Sequence, residues 1–237
     1  MKYLIFLDYD GTLTPIVKKP QLARLTKTQQ KILKRLADSK EVLLAIISGR
    51  ELKNVKKLVG LKNIYYAGNH GFEIKGPGID IVHPAAAKAK AKLQSVKAKL
   101  VQALKKMKGV MIEDKTYTLS VHYRLAKPSM VKEIKQTFIR VVMPYQMQIT
   151  EGKKVLEVRP KVDWHKGKAV EWLIDKLKKE SLAVPIYIGD DTTDEDAFKF
   201  VRNIGLTFFV GQTKKTTARH KLKNVDAVYR YLAGILH

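Results

Sequence analysis

At 237 residues with 45% apolar side chains, the chain is long enough for one large domain, or a domain carrying an insertion, around a substantial core. Its lack of cysteine excludes disulfides, thiolate catalysis and cysteine-ligated zinc. No apolar stretch approaches the ~18 residues of a membrane span, and Met1-Lys2 leads into a strand rather than a removable signal region, so a soluble, cytoplasmic protein is expected. Lys and Arg number 46 against 22 Asp and Glu, and the net charge of +24 attracts phosphorylated metabolites, acidic lipids and nucleic acid alike. The cations are mostly lysines spread along helices, with no arginine cluster and no interleaved aromatics; they read as solvated helix faces, and no specific nucleic-acid partner is expected.

Tyr3-Leu4-Ile5-Phe6-Leu7 reads as a buried strand ending in Asp8-Tyr9-Asp10-Gly11-Thr12. Thr26 or Thr28 can cap the next helix, whose Ile32, Leu33 and Leu36 share a face. The uninterrupted apolar run from Val42 to Ile47 suits a parallel strand covered on both faces, and it stops at Ser48-Gly49-Arg50. A short helix over 51–58 and a strand over 63–67 complete a βαβαβ opening, for which doubly wound α/β is the natural class. Around Lys75-Gly76-Pro77-Gly78 the rhythm changes. A long amphipathic helix over 83–107 carries Leu93, Val96, Leu100, Leu104 and Met107 at three- and four-residue spacings. Strands over 110–113 and 118–123, a helix after Pro128, and strands over 146–150 and 155–158 follow. This αββαββ order predicts an antiparallel sheet with two helices on one face, an α+β cap over 81–160 inserted between core halves 1–80 and 161–237. The parallel pattern then resumes: a helix over 166–179, a strand over 185–188 ending in Gly189-Asp190-Asp191, a further helix, a strand over 206–210, and a last helix through Val228, Leu232 and Leu236.

Asp8 and Asp10 leave the same side of a strand at its carboxyl end, where open α/β sheets place their ligands, although a short Asp-x-Asp-Gly alone also reads as a turn. Four strand-end motifs coexist: Asp8-Tyr9-Asp10-Gly11-Thr12, Ser48-Gly49-Arg50, Lys166-Gly167, and Gly189-Asp190-Asp191 with Asp194 close behind. Together they resemble the four motifs of the haloacid dehalogenase (HAD) superfamily of phosphotransferases, in that superfamily's order and with an insertion where one cap class places it. The resemblance implies a HAD-like core in which Asp8 attacks phosphorus and Asp10 protonates the leaving alkoxide, then activates water. By the same resemblance Ser48 hydrogen-bonds a phosphate oxygen and Lys166 supplies charge and orients Asp8. It implies Mg2+ held by the carboxylates of Asp8 and Asp190 and the backbone carbonyl of Asp10, with Asp191 and Asp194 behind them. Asp194 also reads as a helix-capping residue.

Three further segments, Tyr66 to Glu73, Thr118 to Arg124 and Gly189 to Phe198, resemble trehalose-6-phosphate phosphatases, as does Gly152 to Pro160. The implied substrate is a phosphorylated disaccharide, trehalose 6-phosphate, with Arg50, Asn69, His70 and Glu73 at a core–cap junction and Gly49, His122 and Arg124 also among its binding residues. His70 reads equally as a satisfied turn histidine. Strand periodicity independently turns Leu156 and Val158 toward the cap helices and Lys153, Val155, Glu157 and Arg159 away from them, toward the phosphate site. A carboxylate and an ammonium there suit sugar hydroxyls, while Lys153 alone also fits a cross-strand ion pair. Two alternatives stand beside this one: another sugar phosphatase of the sucrose-phosphate or mannosyl-phosphoglycerate type, and a regulatory subunit associated with a trehalose-phosphate synthase. The presence of Asp8, Asp10, Ser48, Lys166 and Asp190 together argues against a degenerate site.

Overall fold

In the computed structural model, which describes residues 2–17, 20–177, 183–212 and 215–236, the first apolar run forms β1 (Tyr3–Leu7). Next comes α1 (Lys27–Asp38), and its start is decided by a reciprocal capping box: Thr26 Oγ1 accepts from the Gln29 N–H (3.3 Å) and Gln29 Oε1 from the Thr26 N–H (2.8 Å). Thr26, not Thr28, is therefore the cap. After β2 (Val42–Ile47), α2 (Leu52–Val59) ends at Gly60, whose φ of 71° is the left-handed stop that glycine adopts without strain. Then β3 (Tyr65–Gly68) is followed by β4 (Glu73–Gly76) and β5 (Ile79–Val82), two short strands absent from the sequence reading.

In the middle of the chain come α3 (Pro84–Leu104), β6 (Met111–Asp114), β7 (Leu119–His122), α4 (Val131–Val142), β8 (Gln148–Gly152) and β9 (Val155–Arg159). α3 stops at Leu104, short of the predicted end at 107. The closing elements are α5 (Lys166–Leu177), β10 (Val184–Gly189), α6 (Glu195–Val201), β11 (Leu206–Val210), the unforeseen β12 (His220–Leu222) and α7 (Val225–Gly234). The last two residues of the predicted helix, 178–179, lie outside the described residues.

Residues Met1–Ile81 and Trp164–His237 form one compact unit and Val82–Asp163 another. The first is a doubly wound α/β sheet of eight strands in the order β12-β11-β10-β1-β2-β3-β4-β5. Pairing is parallel from β12 to β3, and β4 runs antiparallel to β3 with Ala67 opposite Ile74. Period-two alternation divides its core. Ile5 and Leu7 of β1 pack in one layer with Leu33, Leu36, Val55 and Leu232 of α1, α2 and α7. Leu4 and Phe6 pack in the other with Val170, Leu173, Phe198 and Val201 of α5 and α6. Because β1 lies between β10 and β2, successive crossovers leave it in opposite directions, and the crevice beyond the carboxyl ends of these three strands is a topological switch point.

The second unit is a four-stranded antiparallel sheet, β6-β7-β9-β8. Leu93, Val96 and Leu100 of α3 and Ile134, Phe138 and Val142 of α4 cover one face of it, packed on Leu119, Val121, Leu156 and Val158. Ser120 pairs with Glu157 and Glu113 with Ser120, so these polar residues share the opposite face. Among the described residues no helix is long and apolar enough to cross a membrane.

Candidate active site

Asp8 is the first residue past β1, anchored by its N–H to the Ile188 carbonyl of β10 at 2.9 Å. Lys166, at the start of α5, sends its buried ammonium to Asp8 Oδ1 (2.6 Å) and Asp194 Oδ1 (2.8 Å). Asp194 is fully buried and accepts from four donors: Lys166 and the Tyr187 hydroxyl (2.7 Å) at Oδ1, and the N–H groups of Asp190 (3.1 Å) and Asp191 (2.9 Å) at Oδ2. It is thus a capping residue for the turn at the end of β10 and the anchor of Lys166 at once, while Asp191 caps the same turn by accepting from the Thr192 N–H at 2.7 Å. Asp8, Asp190 and Asp194 are all buried, with carboxylate oxygens within 4.8 Å of one another. Gly11 has φ +93°, and any side chain there would collide with the Asp190 carboxylate.

The electrostatics of this cluster follow from three neighbouring buried carboxylates, two of which, Asp8 and Asp194, share one ammonium. Burial pushes the Asp8 carboxyl well above its ordinary range, Lys166 opposes the shift, and the charges of Asp194 and Asp190 reinforce it. Burial also works against the Lys166 ammonium, but the charges of Asp194 and Asp8 and its hydrogen bonds to both outweigh that penalty, so Lys166 titrates above an ordinary lysine and stays protonated. With the Asp194 oxygens committed to four protein donors, Asp8 and Asp190 are the carboxylates suited to hold a hard divalent cation, whose charge would offset their repulsion.

Ser48, Gly49 and Arg50 follow β2, the strand beside β1. Ser48 is buried, and its Oγ accepts from the Arg50 N–H at 3.1 Å. Arg50 reaches back to Asp10, donating from Nε to Oδ2 and from Nη2 to Oδ1, both at 2.6 Å. The loop after β3 locks onto this turn through Asn69 N–H to the Arg50 carbonyl (2.7 Å) and His70 N–H to the Ser48 carbonyl (2.9 Å). Asn69 and His70 both hold positive φ, 50° and 59°, a strained pair for non-glycine residues, and the His70 ring lies where a Gly49 side chain would be. Asn69 Nδ2 donates to Glu73 Oε2 at 2.6 Å, and the same carboxylate accepts from the Leu52 N–H at the start of α2 (3.4 Å). Burial raises the Glu73 carboxyl, with those two hydrogen bonds pulling the other way. Asn69, His70 and Glu73 therefore brace the turn that carries Ser48 and Arg50.

The other expected binding residues belong to the second unit. Glu157 is buried among Lys115 Nζ (2.8 Å), Ser120 Oγ (2.9 Å) and the Arg159 guanidinium. His122 Nε2 lies 2.8 Å from Glu113 Oε2, and Arg124 Nη2 donates to the Lys153 carbonyl at 2.8 Å. Two contributors escaped the sequence reading. Lys115 stands in a hairpin turn, where a lysine normally signals only solvation. Tyr187 stands in an apolar strand; a buried hydroxyl there must find a partner, and that requirement was the one available signal.

The model of the trehalose-phosphatase family matches residues 6–228. The chain belongs to that family. Among curated relatives, a probable trehalose-phosphate phosphatase 4 of Oryza sativa subsp. japonica is 36% identical over 245 residues, covering 99% of this chain and 66% of the rice protein. A trehalose-phosphate phosphatase of Mycobacterium tuberculosis is 41% identical over 212 residues, covering 88% of this chain and 54% of the mycobacterial protein. The chain thus spans between about half and two thirds of the length of these relatives. Among solved structures, the C-terminal domain of the C. albicans trehalose-6-phosphate phosphatase superposes with a TM-score of 0.84 at 28% identity, covering 99% of this chain and 91% of that one. The C-terminal domain of a C. albicans trehalose synthase regulatory protein shares the fold (TM-score 0.74) at 15% identity.

Proposed function

We propose that this trehalose-phosphatase family member is a Mg2+-dependent phosphatase that hydrolyses trehalose 6-phosphate, in trehalose biosynthesis, through an aspartyl-phosphate on Asp8. The observation that carries the chemistry is the Asp8–Lys166 contact at 2.6 Å inside a buried acidic cluster at the switch point of the sheet. An Asp8 oxygen attacks phosphorus, the bond from phosphorus to the sugar oxygen breaks, and Asp10 donates a proton to the departing alkoxide. Asp10 then takes a proton from the water that attacks the aspartyl-phosphate, releasing phosphate and restoring Asp8. Ser48 Oγ, already accepting from the Arg50 N–H, keeps its own proton to donate to a phosphate oxygen, and Lys166 keeps Asp8 oriented. Mg2+ fits the hard-oxygen donors Asp8, Asp190 and the Asp10 backbone carbonyl; when bound it supplies positive charge against the phosphate oxygens.

Choice of the disaccharide is assigned to His122, Arg124, Lys153 and Glu157 of the second unit, with support from the family match and from the polar sheet face on which Glu157 lies. A purely regulatory role, the alternative read from the sequence, is disfavoured by the retention of Asp8, Asp10, Ser48, Lys166 and Asp190.

The test is phosphate release from trehalose 6-phosphate beside glucose 6-phosphate, sucrose 6-phosphate and an aryl phosphate, with Mg2+ and with chelator. Metal-dependent preference for trehalose 6-phosphate, abolished in Asp8→Asn and weakened in Glu157→Gln more than aryl phosphate turnover is, supports the proposal. Activity on the aryl phosphate alone removes the substrate but keeps the phosphatase, and an active Asp8→Asn variant removes the covalent step.

A further inference from the structure

The side chain of Arg50 is 9% exposed, and its guanidinium is directed inward on three sides. Besides its two bonds to Asp10, Nη2 donates to the Pro20 carbonyl (2.9 Å) and Nη1 to Asn54 Oδ1 (3.0 Å). The group also lies 5.3 Å from the centroid of the Tyr9 ring, which is itself pinned by its hydroxyl to the Ala23 carbonyl at 2.9 Å. A guanidinium anchored by a loop carbonyl, a helix side chain and an aromatic face is poorly placed to swing toward a ligand. It matches the two oxygens of one carboxylate, the fork geometry in which arginine fixes both the position and the plane of its partner.

That partner needs fixing. The Asp10 side chain is 40% exposed, two residues beyond Asp8, and lies outside the group formed by Asp8, Asp190 and Asp194. An untethered carboxylate so close to a cation-binding cluster could be drawn in as an additional ligand and lost to proton transfer. We infer that Arg50 is a positioning residue: it acts through Asp10, holding that carboxylate apart from the buried acidic cluster as the proton carrier, rather than contacting the phosphoryl group. The inference rests on the phosphatase reading and assigns within it a role that the substrate-binding expectation for Arg50 did not contain.

Leaving-group dependence separates the two roles. An alkoxide must be protonated as it departs, whereas the phenolate of an activated aryl phosphate leaves unaided, so in the step that forms the aspartyl-phosphate a residue that places the acid matters only for the first; the later activation of water is common to both substrates and is excluded by following release of the alcohol in the first turnover. First-turnover rates with enzyme in excess should fall about tenfold or more for trehalose 6-phosphate in Arg50→Lys, and change by less than about threefold for release of the aryl alcohol. In an Asp10→Asn background, Arg50→Lys should slow the sugar phosphate by less than about threefold further, because one pathway of action is already lost. Equal losses on both substrates, or losses that multiply in the double variant, would overturn the inference and return Arg50 to the phosphate. Should Arg50→Lys fail to fold, Asn54→Ala removes only the Nη1 acceptor and should give the same substrate pattern, about two- to fivefold on the sugar phosphate alone; equal effects on both would again count against it. An unaltered chain inactive on every phosphate ester refutes the phosphatase reading itself, whereas an active one leaves only the role of Arg50 at stake.

Discussion

Replacing Tyr187 with phenylalanine probes how the charged cluster is held, because it deletes one hydroxyl and little else. The ring is fully buried and meets Phe198 edge-on, centroids 5.5 Å apart at 85°, a contact that phenylalanine keeps. What disappears is the 2.7 Å hydrogen bond to Asp194 Oδ1, leaving that carboxylate with Lys166 and the two backbone N–H groups. A hydrogen bond to a charged acceptor contributes about 1.5–3 kcal/mol, and since no unpaired donor remains in the variant, the lower half of that range is expected. Lys166 still touches both Asp8 and Asp194, so the rate of phosphate release should fall only about three- to tenfold, the tenfold limit corresponding to about 1.4 kcal/mol. Urea unfolding followed by circular dichroism gives the stability change from the midpoint and slope, and phosphate release on the same preparations gives the rate. A stability change below about 0.5 kcal/mol together with an unaltered rate would refute the reasoning, since surface substitutions that touch nothing fall within that range. Asp194→Asn is the companion variant, and it should be the more severe of the two, because it removes a countercharge of Lys166.

Asp190→Asn should stabilise the metal-free protein, raising its melting midpoint by about 2–4 °C per kcal/mol of carboxylate repulsion relieved, and should abolish the upward shift produced by added Mg2+; a lower midpoint without metal would contradict the charge argument. Glu157→Ala leaves the buried cations of Lys115 and Arg159 facing one another without their shared anion and should destabilise the second unit by about 3–5 kcal/mol in urea; a near-neutral effect would show that water screens the pair. For Asp114, burial raises the carboxyl but hydrogen bonds from Gln94, Lys97 and the Thr116 N–H outweigh it, and the folded pKa lies below 3.8. A lowered carboxylate stabilises the fold above its unfolded pKa and loses that contribution as the pH falls through the folded value, so Asp114→Asn should flatten acid unfolding below pH 3.8, and an unchanged acid limb would count against the pairing. Thr26→Ala breaks the capping box of α1 and should cost about 1 kcal/mol in the same urea assay, whereas Thr28→Ala should cost little.

Legibility of this fold in its sequence tracks burial. β1, β2, β10 and β11 are covered on both faces and appear as apolar runs, so each is readable to within a residue or two. The pair β4–β5 alternates Glu73, Lys75 and Asp80 with apolar residues on both sides of Gly76-Pro77-Gly78, which reads as a break in the pattern before it reads as a hairpin. β12 is three residues of a sheet edge, too short and too polar to register any period. The start of α1 was decidable: Gln29 stands three residues after Thr26, whereas Lys31 stands three after Thr28, and only the first pair can close a capping box. The candidate site divides along similar lines. Groups fixed by the ends of buried strands can be located from local pattern, because a strand end places its next residues whatever the rest of the chain does. Pairings between such ends cannot. Arg50 meets Asp10 across 40 residues and Lys115 meets Glu157 across 42, and with 46 cations available to 22 acids nothing local selects one match over another. Selection comes from the sheet order, which sets β1 beside β2 and β7 beside β9 and so decides which carboxylate each buried cation can reach. One lysine, Lys166, serves both Asp8 and Asp194, while Glu157 takes both Lys115 and Arg159; the topology likewise determines that the partner of Asp10 is the arginine with the fork to hold it in one plane.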